Sequence, residues 1–323
     1  MMKNARKIAV LTSGGDAPGM NAAIRAVVRK GIYHDFHVFG VYHGYDGLLN
    51  GEIKEMALGS VADIIHRGGT VIRTARCEEM YSAEGQEKAA RQLKNHGIEY
   101  LIVIGGDGSY RGAAAIAKHG IKVIGIPGTI DNDITGTDLT IGFDTAVNTV
   151  VEAVSKLRDT ASSHERAFIV EVMGRNCGDI ALKAGLAIGA ESILVPEIAF
   201  DLAEISEKLV RGYRRGKNHS IIICAEGAGN VWEIAEKLKQ HSGFETRVTI
   251  LGHVQRGGAP SAADAVLGAV MGGKAVDAVL EGKSDIMISH YLNQIVDRPL
   301  DLAFGPRTPF DSRLYELANQ LAI

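Results

Sequence analysis

The sequence predicts an α/β protein with two three-layer α/β/α domains whose sheets are mostly parallel. Short apolar runs of β type alternate with amphipathic helical stretches along nearly the whole chain. With 323 residues, 46% of them hydrophobic, the chain can bury one large core or two moderate ones. Glycine-rich turns follow several apolar runs. Because strands of a parallel sheet end at one edge, where ligands bind, we expect the functional groups there.

The first forty residues show the alternation most clearly. Lys7 to Leu11 is typical of a buried strand, Gly19 to His34 of a helix, and His37 to Val41 of a second strand. The later strand candidates are apolar runs of similar length: 100–104, 122–126, 167–173, 192–195, 219–225 and 247–252. Amphipathic helical stretches lie between strands, among them 144–160 and 202–215. The small-residue stretch after residue 256 predicts a long helix that packs back on the first sheet.

The composition argues against several classes of function. A net charge of −3 gives no general attraction to nucleic acid or to an anionic membrane, so we expect neither partner. Cys77, Cys177 and Cys224 are odd in number and scattered, which predicts neither a disulfide framework nor a zinc cluster. The apolar run near the start is too short for a signal peptide, and no later segment could span a bilayer. We expect a cytoplasmic protein.

Two glycine-rich turns have features of phosphate-binding loops. The turn from Thr12 to Asn21 precedes a helix, and backbone N–H groups at such a position favour an anion. It matches neither the P-loop nor the dinucleotide pattern, so a simple tight turn is its more common interpretation. In the turn from Gly105 to Ser109, Asp107 stands where a metal–phosphate complex would meet the backbone. A lone aspartate in that position is usually a helix cap.

A third turn, from Gly128 to Asp133, carries side chains suited to phosphoryl transfer. Transfer to an alcohol needs a carboxylate near the hydroxyl and compensation of the moving charge. Thr129, Asp131 and Asp133 alternate, so their side chains point the same way if the segment is extended. A structural Asx-turn is the alternative, and the residues alone do not show which aspartate is the base. Three such turns on consecutive strands predict a kinase.

Several longer motifs, taken in order, resemble those of bacterial ATP-dependent 6-phosphofructokinases. They are LTSGGDAPGMNAAIR, TARC, GGDGS, PGTIDND, MGRNCGD, AEG and ETRVTILGHVQRGG. The resemblance covers residues 8 to about 282. It implies a phosphofructokinase-like fold and ATP-dependent phosphorylation of fructose 6-phosphate at the 1-hydroxyl, the committed step of glycolysis, with Mg²⁺ as cofactor. It further implies a homotetramer whose active sites are shared between subunits.

The resemblance also implies two domains that bind different substrates. The larger, ATP-binding domain would comprise residues 1–140 plus about 256–305. The smaller, fructose-6-phosphate-binding domain would comprise residues 141–255 plus about 306–323. No linker or low-complexity segment marks these boundaries.

Roles for individual residues follow from the same resemblance. Asp131 would accept the proton of the 1-hydroxyl, aided by Thr129 and Arg175, and Asp107 would bind the magnesium ion. The ATP site would comprise Gly15, Arg76, Cys77, Gly106, Asp107, Gly108 and Ser109. The sugar-phosphate site would comprise Thr129, Ile130, Asp131, Met173, Gly174, Arg175, Glu226, His253, Val254, Gln255 and Arg256, with Arg166 and Arg247 from the adjacent subunit. Forked guanidinium groups suit a dianionic phosphate better than lysine does. We expect Glu226 to accept hydrogen bonds from sugar hydroxyls.

A second, basic group resembles the family's effector site for ADP or phosphoenolpyruvate. Its members are Arg25, Ala26, Val27, Val28, Arg29, Arg158, Gly189, Ala190, Glu191, Arg215, Lys217, Asn218 and His219. Glu191 is a candidate metal ligand in this group. Asn218 stands where many relatives have lysine, and Leu58 where some have arginine, so the response to effectors stays open. Asn176, where histidine is frequent, is a further departure from the family pattern.

Two glycines distinguish between phosphoryl donors. Pyrophosphate-using relatives typically have an aspartate and a lysine where this chain has Gly108 and Gly128. A side chain at 108 would occupy the space of the nucleotide's α-phosphate, so we predict ATP. A pyrophosphate-dependent phosphofructokinase is the closer alternative, and a non-catalytic sugar-phosphate sensor is one from another class. NAD kinases and lipid kinases share only the Gly-Gly-Asp-Gly motif.

Overall fold

The computed structural model describes residues 6–322 apart from residues 165 and 308. The chain divides into two compact units. The first comprises the described residues of Met1–Asp144 and Arg256–Thr308, and the second those of Thr145–Gln255 and Pro309–Ile323. Each unit contains its own sheet.

Strands and helices alternate through most of the described chain. The strands are β1 (Lys7–Ser13), β2 (His37–Val41), β3 (Ile53–Glu55), β4 (Tyr100–Gly105), β5 (Lys122–Pro127), β6 (Ala167–Val172), β7 (Ser192–Leu194), β8 (Ser220–Ala225), β9 (Thr246–Ile250), β10 (Ile286–Tyr291) and β11 (Gln294–Pro299). The α-helices are α1 (Met20–Tyr33), α2 (Gly44–Leu49), α3 (Ala83–Asn95), α4 (Asp107–Ala117), α5 (Phe143–His164), α6 (Asp179–Ile188), α7 (Leu202–Arg214), α8 (Val231–Ser242), α9 (Ala262–Leu280) and α10 (Ser312–Leu321).

The first unit is built on a seven-stranded sheet of order β11-β10-β5-β4-β1-β2-β3. The pairs from β10 through β2 are parallel, and the outermost pairs, β10–β11 and β2–β3, are antiparallel. All six residues of β4 are buried, which matches the near-continuous apolar run expected for a strand covered on both faces. The two sheets, with mostly parallel pairs, confirm the predicted α/β class.

The predicted small-residue helix is α9, which packs along α1. A Cβ on Gly268 would come within 2.7 Å of the carbonyl oxygen of Gly19, and one on Gly272 would overlap the backbone of Ala23. Glycine therefore allows the two helices to approach closely at two successive turns. The helix also contacts β5, in agreement with the prediction that it packs on the first sheet.

The second unit contains a four-stranded, fully parallel sheet of order β7-β8-β6-β9. Its apolar core includes Ile169, Leu194, Ile222 and Leu238, all nearly or fully buried. The C-terminal helix α10 belongs to this unit and packs against α6. The hydroxyl of Tyr315 on α10 donates a hydrogen bond to the carbonyl of Ile193 at 3.1 Å.

Three strands were absent from the sequence-based prediction: β3, β10 and β11. The short strand β3 contains two charged residues, and the half-buried strand β11 contains Asp297, Arg298 and Pro299. Edge strands tolerate such residues because one side of the strand faces solvent. Among the described residues, no helix has the length and apolar character needed to cross a membrane.

Candidate active site

Three glycine-rich turns of the first unit begin at the same edge of its sheet. Strands β1, β4 and β5 are neighbours, and their registers align Ser13 with Gly105 and Gly105 with Pro127. The three turns therefore start side by side at the carboxyl ends of the strands, where parallel sheets bind ligands. The prediction that the glycine-rich turns lie at this edge is correct for the first unit.

An arginine from much later in the chain lies against the first turn. Arg256 donates a hydrogen bond from Nη1 to the carbonyl of Asp16 at 3.2 Å. Its guanidinium lies so near Gly15 that a Cβ there would overlap it. Gly14 has φ +83° and therefore needs the freedom of glycine, whereas Gly15 does not. The glycine at 15 thus leaves room for a cation beside the turn.

The second turn leads directly into α4, so backbone N–H groups at the start of this helix are available to an anion. The side chain of Asp107 is 48% exposed, and its carboxylate is a loose 4.0 Å from Nε of Arg111. A Cβ on Gly108 would meet nothing within 4 Å, so packing of the protein does not require glycine there. Ser109 is buried and packs close to Gly105 and Gly14.

The third turn is bent at residues 130 and 131, so the condition of an extended segment is not met. The hydroxyl of Thr129 accepts a hydrogen bond from the N–H of Asp131 at 3.1 Å, and Thr140 donates to the carbonyl of Thr129 at 2.7 Å. The Asp131 side chain is 1% exposed and that of Ile130 is fully buried. Thr129 therefore shapes the turn that presents Asp131, and Ile130 can offer a ligand only its backbone.

Three residues that hold the surroundings of these turns escaped the sequence analysis. Thr12 and Thr74 donate side-chain hydrogen bonds to the carbonyls of Arg73 and Gly14, both at 2.9 Å. Asn21, fully buried on α1, bonds the backbone of residues 67–71. For Asn21, the available signal was a polar side chain on an otherwise apolar helix face. The sequence analysis attributed the motif around it to the glycine turn alone.

Arg76 and Cys77 follow that segment. Arg76 is exposed, and Cys77 is partly buried against the first unit's core. Burial raises the pKa of the Cys77 thiol, and the negative charges of Asp46 and Glu79 add to the effect against opposing backbone hydrogen bonds. A raised pKa keeps the thiol protonated, which favours a packing role over a reactive thiolate.

In the second unit, the turn after β6 is held by a carboxylate. Glu226 Oε1 accepts hydrogen bonds from the N–H groups of Gly174 at 3.2 Å and Arg175 at 2.7 Å. Gly174 and Arg175 have φ of +137° and +54°, so the turn is strained and needs such support. At least one oxygen of Glu226 therefore orients this turn, a role the sequence analysis did not foresee.

Gln255 also holds the turn after β6 through a hydrogen bond. It is fully buried, accepts a hydrogen bond from the N–H of Met173 at 3.2 Å and donates to the carbonyl of Gly252 at 3.0 Å. Its neighbours His253 and Val254 are exposed. Gln255 is thus placed to position the loop, while His253 and Val254 present their side chains to solvent.

Arg166 and Arg247 are brought together by one acidic residue. Glu245 Oε2 lies 2.9 Å from Arg166 Nε, and Oε1 pairs with Arg247 Nη2. The arrangement follows from strand register. Glu245 and Arg247 are two residues apart and therefore lie on the same face, and Arg166 directly precedes β6, the strand that pairs with β9. Two guanidinium groups on one carboxylate leave a net positive charge at this edge of the sheet.

The predicted effector residues are divided between the units. Arg25 to Arg29 lie on α1 of the first unit, where Val27 and Val28 are fully buried and Arg29 is exposed. In the second unit, Lys217 pairs with the buried Glu191, and the charges of Glu191, Arg158 and Lys217 all act on His219. Of the rest of that set, Ala190 is buried, whereas Gly189, Arg215 and Asn218 are exposed.

Both carboxylate oxygens of Glu191 have a partner within the protein. Its Oε1 pairs with Lys217 Nζ at 2.5 Å, and its Oε2 accepts a hydrogen bond from the N–H of Ile221. These contacts fit a structural anchor for a basic cluster better than a metal ligand. Within the described ranges, no three His, Cys, Asp or Glu side chains form a metal-binding group.

Comparison with known proteins shows the family to which the chain belongs. The phosphofructokinase family model matches residues 7–279. The chain is 58% identical to the ATP-dependent 6-phosphofructokinase of Brevibacillus brevis over 318 residues, 98% of this chain and 100% of that one. It is 56% identical, with the same coverage, to that of Shouchella clausii. It is also similar to the solved phosphofructokinase from Saccharomyces cerevisiae, with a TM-score of 0.87 and 40% identity over 98% of this chain and 46% of that chain.

Proposed function

Because the chain belongs to the phosphofructokinase family, we propose that it transfers the γ-phosphoryl group of ATP to the 1-hydroxyl of fructose 6-phosphate. The products are ADP and fructose 1,6-bisphosphate, and the reaction is the committed step of glycolysis. The observation that carries this proposal is the identity of 56–58%, over 98% of the chain, to relatives named ATP-dependent 6-phosphofructokinase. An enzyme with these substrates is expected in the cytoplasm.

The first unit is proposed to bind ATP. Its backbone-lined turns at Gly15 and at residues 106–109 would hold the phosphates, with Arg76 and Cys77 beside the nucleotide. The half-exposed carboxylate of Asp107 at the start of α4 fits a hydrated magnesium ion that is held mainly by the phosphates. When bound, the ion would neutralise charge on the triphosphate.

Asp131 is proposed as the general base. It would take the proton of the 1-hydroxyl as the oxygen attacks the γ-phosphorus, and Thr129 would hold the turn in place. The bend that Thr129 stabilises supports this assignment, because it fixes the backbone at Asp131 without using the carboxylate. Arg175 is proposed to compensate the negative charge of the transferred group.

The second unit is proposed to bind fructose 6-phosphate through the turn at residues 173–175, Glu226 and residues 253–255. Arg256 is proposed to add a guanidinium for the phosphate. The support is that Glu226 and Gln255 both bond the backbone of that turn and so preorganise it.

We further propose a homotetramer in which Arg166 and Arg247 contact the sugar phosphate of an adjacent subunit. Mixing inactive Asp131→Ser subunits with inactive Arg247→Ala subunits tests this arrangement. If sites are shared, hybrid oligomers contain some sites with both residues intact and regain activity. No recovery in hybrids of confirmed mixed composition would contradict shared sites.

ATP is the proposed donor rather than pyrophosphate. The open space around Gly108 supports this choice, because a side chain there would fold without a clash and glycine is therefore not a packing requirement. At Gly128, by contrast, a Cβ would lie 3.0 Å from the side chains of Ile104 and Met20. The test is an assay of fructose 6-phosphate phosphorylation with each donor in turn, and activity with pyrophosphate alone would overturn the proposal.

Control by ADP or phosphoenolpyruvate is proposed at the basic residues around Glu191. Three cationic or titratable side chains, Arg158, Lys217 and His219, converge there, which suits a polyanion. Saturation curves for fructose 6-phosphate with and without each effector test this control. Superimposable curves would show that the departures at Asn218 and Leu58 have removed it.

A further inference from the structure

We infer that Asn21 is a positioning residue for ATP binding, a role that rests on the proposed function and acts through the irregular segment 62–78. That segment contains no helix or strand, and near its end lie Arg76 and Cys77, two of the proposed ATP ligands. Ordered segments of this length without secondary structure are uncommon in compact domains and are usually functional. No strand ladder holds it, so its position is fixed by single backbone bonds, such as that from the N–H of His43 to the carbonyl of Ile72 at 2.9 Å, and by hydrogen bonds from side chains.

Asn21 supplies three hydrogen bonds to this segment from a fully buried position on α1. Its Nδ2 donates hydrogen bonds to the carbonyls of Arg67 at 2.9 Å and Gly68 at 3.4 Å. Its Oδ1 accepts a hydrogen bond from the N–H of Val71 at 2.8 Å. One amide group therefore satisfies three backbone groups on both sides of a turn, and both of its polar atoms are used.

The same segment is tied to the proposed phosphate-binding turn. Thr74 donates to the carbonyl of Gly14 at 2.9 Å, and Thr12, the last residue but one of β1, donates to the carbonyl of Arg73 at 2.9 Å. A shift of residues 67–71 therefore passes along the chain to Arg76 and across to Gly14.

Close contacts and an unusual backbone conformation restrict the segment to its observed position. A Cβ on Gly68 would overlap the backbone of Gly258, so the two chains are in direct contact there. Gly69 has φ +65°, a conformation that most residues avoid. The close backbone contact and the fixed turn explain why a buried amide, rather than a flexible surface group, sets the position.

Two substitutions at Asn21 test the role. Asn21→Ala removes all three hydrogen bonds, and Asn21→Asp keeps the shape but turns an oxygen toward two carbonyl oxygens. We expect both variants to raise the KM for ATP about tenfold or more, with kcat changed less than about threefold and the KM for fructose 6-phosphate less than about twofold.

A third variant keeps the test decisive if the Asn21 variants fail to fold. Thr74→Val removes only the bond to the Gly14 carbonyl and leaves the buried amide intact. It should raise the KM for ATP in the same direction, by roughly two- to fivefold, with little change in melting temperature.

Thr137→Val is the matched control within the first unit. The buried hydroxyl of Thr137 also bonds the backbone, but it holds a different segment. It lies within donor distance of the carbonyls of Leu139 and His290 and accepts a hydrogen bond from the N–H of His290. This variant should lower the melting temperature and leave the KM for ATP unchanged. A wild-type KM for ATP in the Asn21 and Thr74 variants, or an equal rise in Thr137→Val, would overturn the inference. Wild-type protein without ATP-dependent activity would instead contradict the proposed function.

Discussion

At the scale of single residues, neighbouring glycines in one turn have different tasks. Gly14 has positive φ, and a Cβ there would make only an ordinary contact, 3.4 Å from Ser109 Oγ, whereas Gly15 has an ordinary backbone but stands against the guanidinium of Arg256. The motif alone shows only two adjacent glycines. It cannot separate these reasons, because one depends on the backbone angle φ and the other on Arg256, which is 241 positions further along the chain (256 − 15).

This difference predicts opposite phenotypes for two alanine substitutions. Gly14→Ala should lower the free energy of unfolding by about 1–2 kcal/mol because alanine is strained at φ +83°. Gly15→Ala should leave stability nearly unchanged, because only the flexible end of Arg256 must move. Its kcat/KM for fructose 6-phosphate should fall about tenfold as the guanidinium is displaced. Denaturant titration and initial-rate kinetics on both variants measure these effects, and equal losses of stability would refute the distinction.

Asp131 should be the residue on which turnover depends most strongly. Asp131→Asn removes the proton acceptor while keeping the side-chain shape, so kcat should fall by about 10²–10⁴-fold with a nearly unchanged KM for fructose 6-phosphate. Asp138→Asn, an exposed aspartate in the same region, is the control and should retain turnover within about threefold. Near-normal turnover in Asp131→Asn would exclude the base assignment.

At the scale of elements, the sugar-side turn is organised by side chains from the strands beside it. Glu226 follows β8 and Gln255 follows β9, while the turn itself follows β6. All three strands are neighbours in the order β8-β6-β9, so their carboxyl ends deliver these residues to one place. The motifs MGRNCGD, AEG and HVQRGG are separate in sequence but form one hydrogen-bonded group.

Substitutions at Glu226 should separate orientation of the turn from charge. Glu226→Ala removes the acceptor for Gly174 and Arg175, so the KM for fructose 6-phosphate should rise by about tenfold or more. Glu226→Gln keeps a carbonyl oxygen for the same two N–H groups and should lose appreciably less. Steady-state kinetics decide the matter: if glutamine is as damaging as alanine, the negative charge toward the substrate matters more than the turn.

At the scale of the whole molecule, stability should depend on pH through the basic cluster of the second unit. Burial lowers the pKa of His219 from its ordinary value of 6.5, and Arg158 and Lys217 act in the same direction against Glu191. Between the lowered folded pKa and 6.5, the unfolded chain holds a proton that the folded chain does not. The free energy of unfolding therefore falls as pH is lowered through this range.

Calorimetry at pH 7.5 and 6.0 measures this effect. The melting temperature should decrease between these pH values in the wild type and decrease less in His219→Gln. His241→Gln, which changes an exposed histidine of the same unit, should behave as the wild type. An identical decrease in all three proteins would show that His219 does not contribute.

Much of the architecture could be predicted because buried parallel strands and amphipathic helices have distinct local periodicities. β2 has the predicted bounds, and β1, β4, β5 and β6 differ by at most two residues at an end. The edge strands β3 and β11 could not be predicted in the same way, since their charged and proline residues weaken the apolar signal and pairing partners supply their stability. Strand β10 lies between β5 and β11, and its apolar run is only three residues long before Ser289 and His290.

The amino-acid sequence by itself determined the fold class, the family and the identity of the turns that carry chemistry, because these are local patterns of residue type and spacing. Only the tertiary structure decided that Arg256 lies against Gly15, that Glu226 bonds the turn after β6, and that Asn21 holds residues 67–71. Each of these contacts joins residues far apart in the chain. Their geometry depends on strand order and helix packing, which no single stretch of sequence contains.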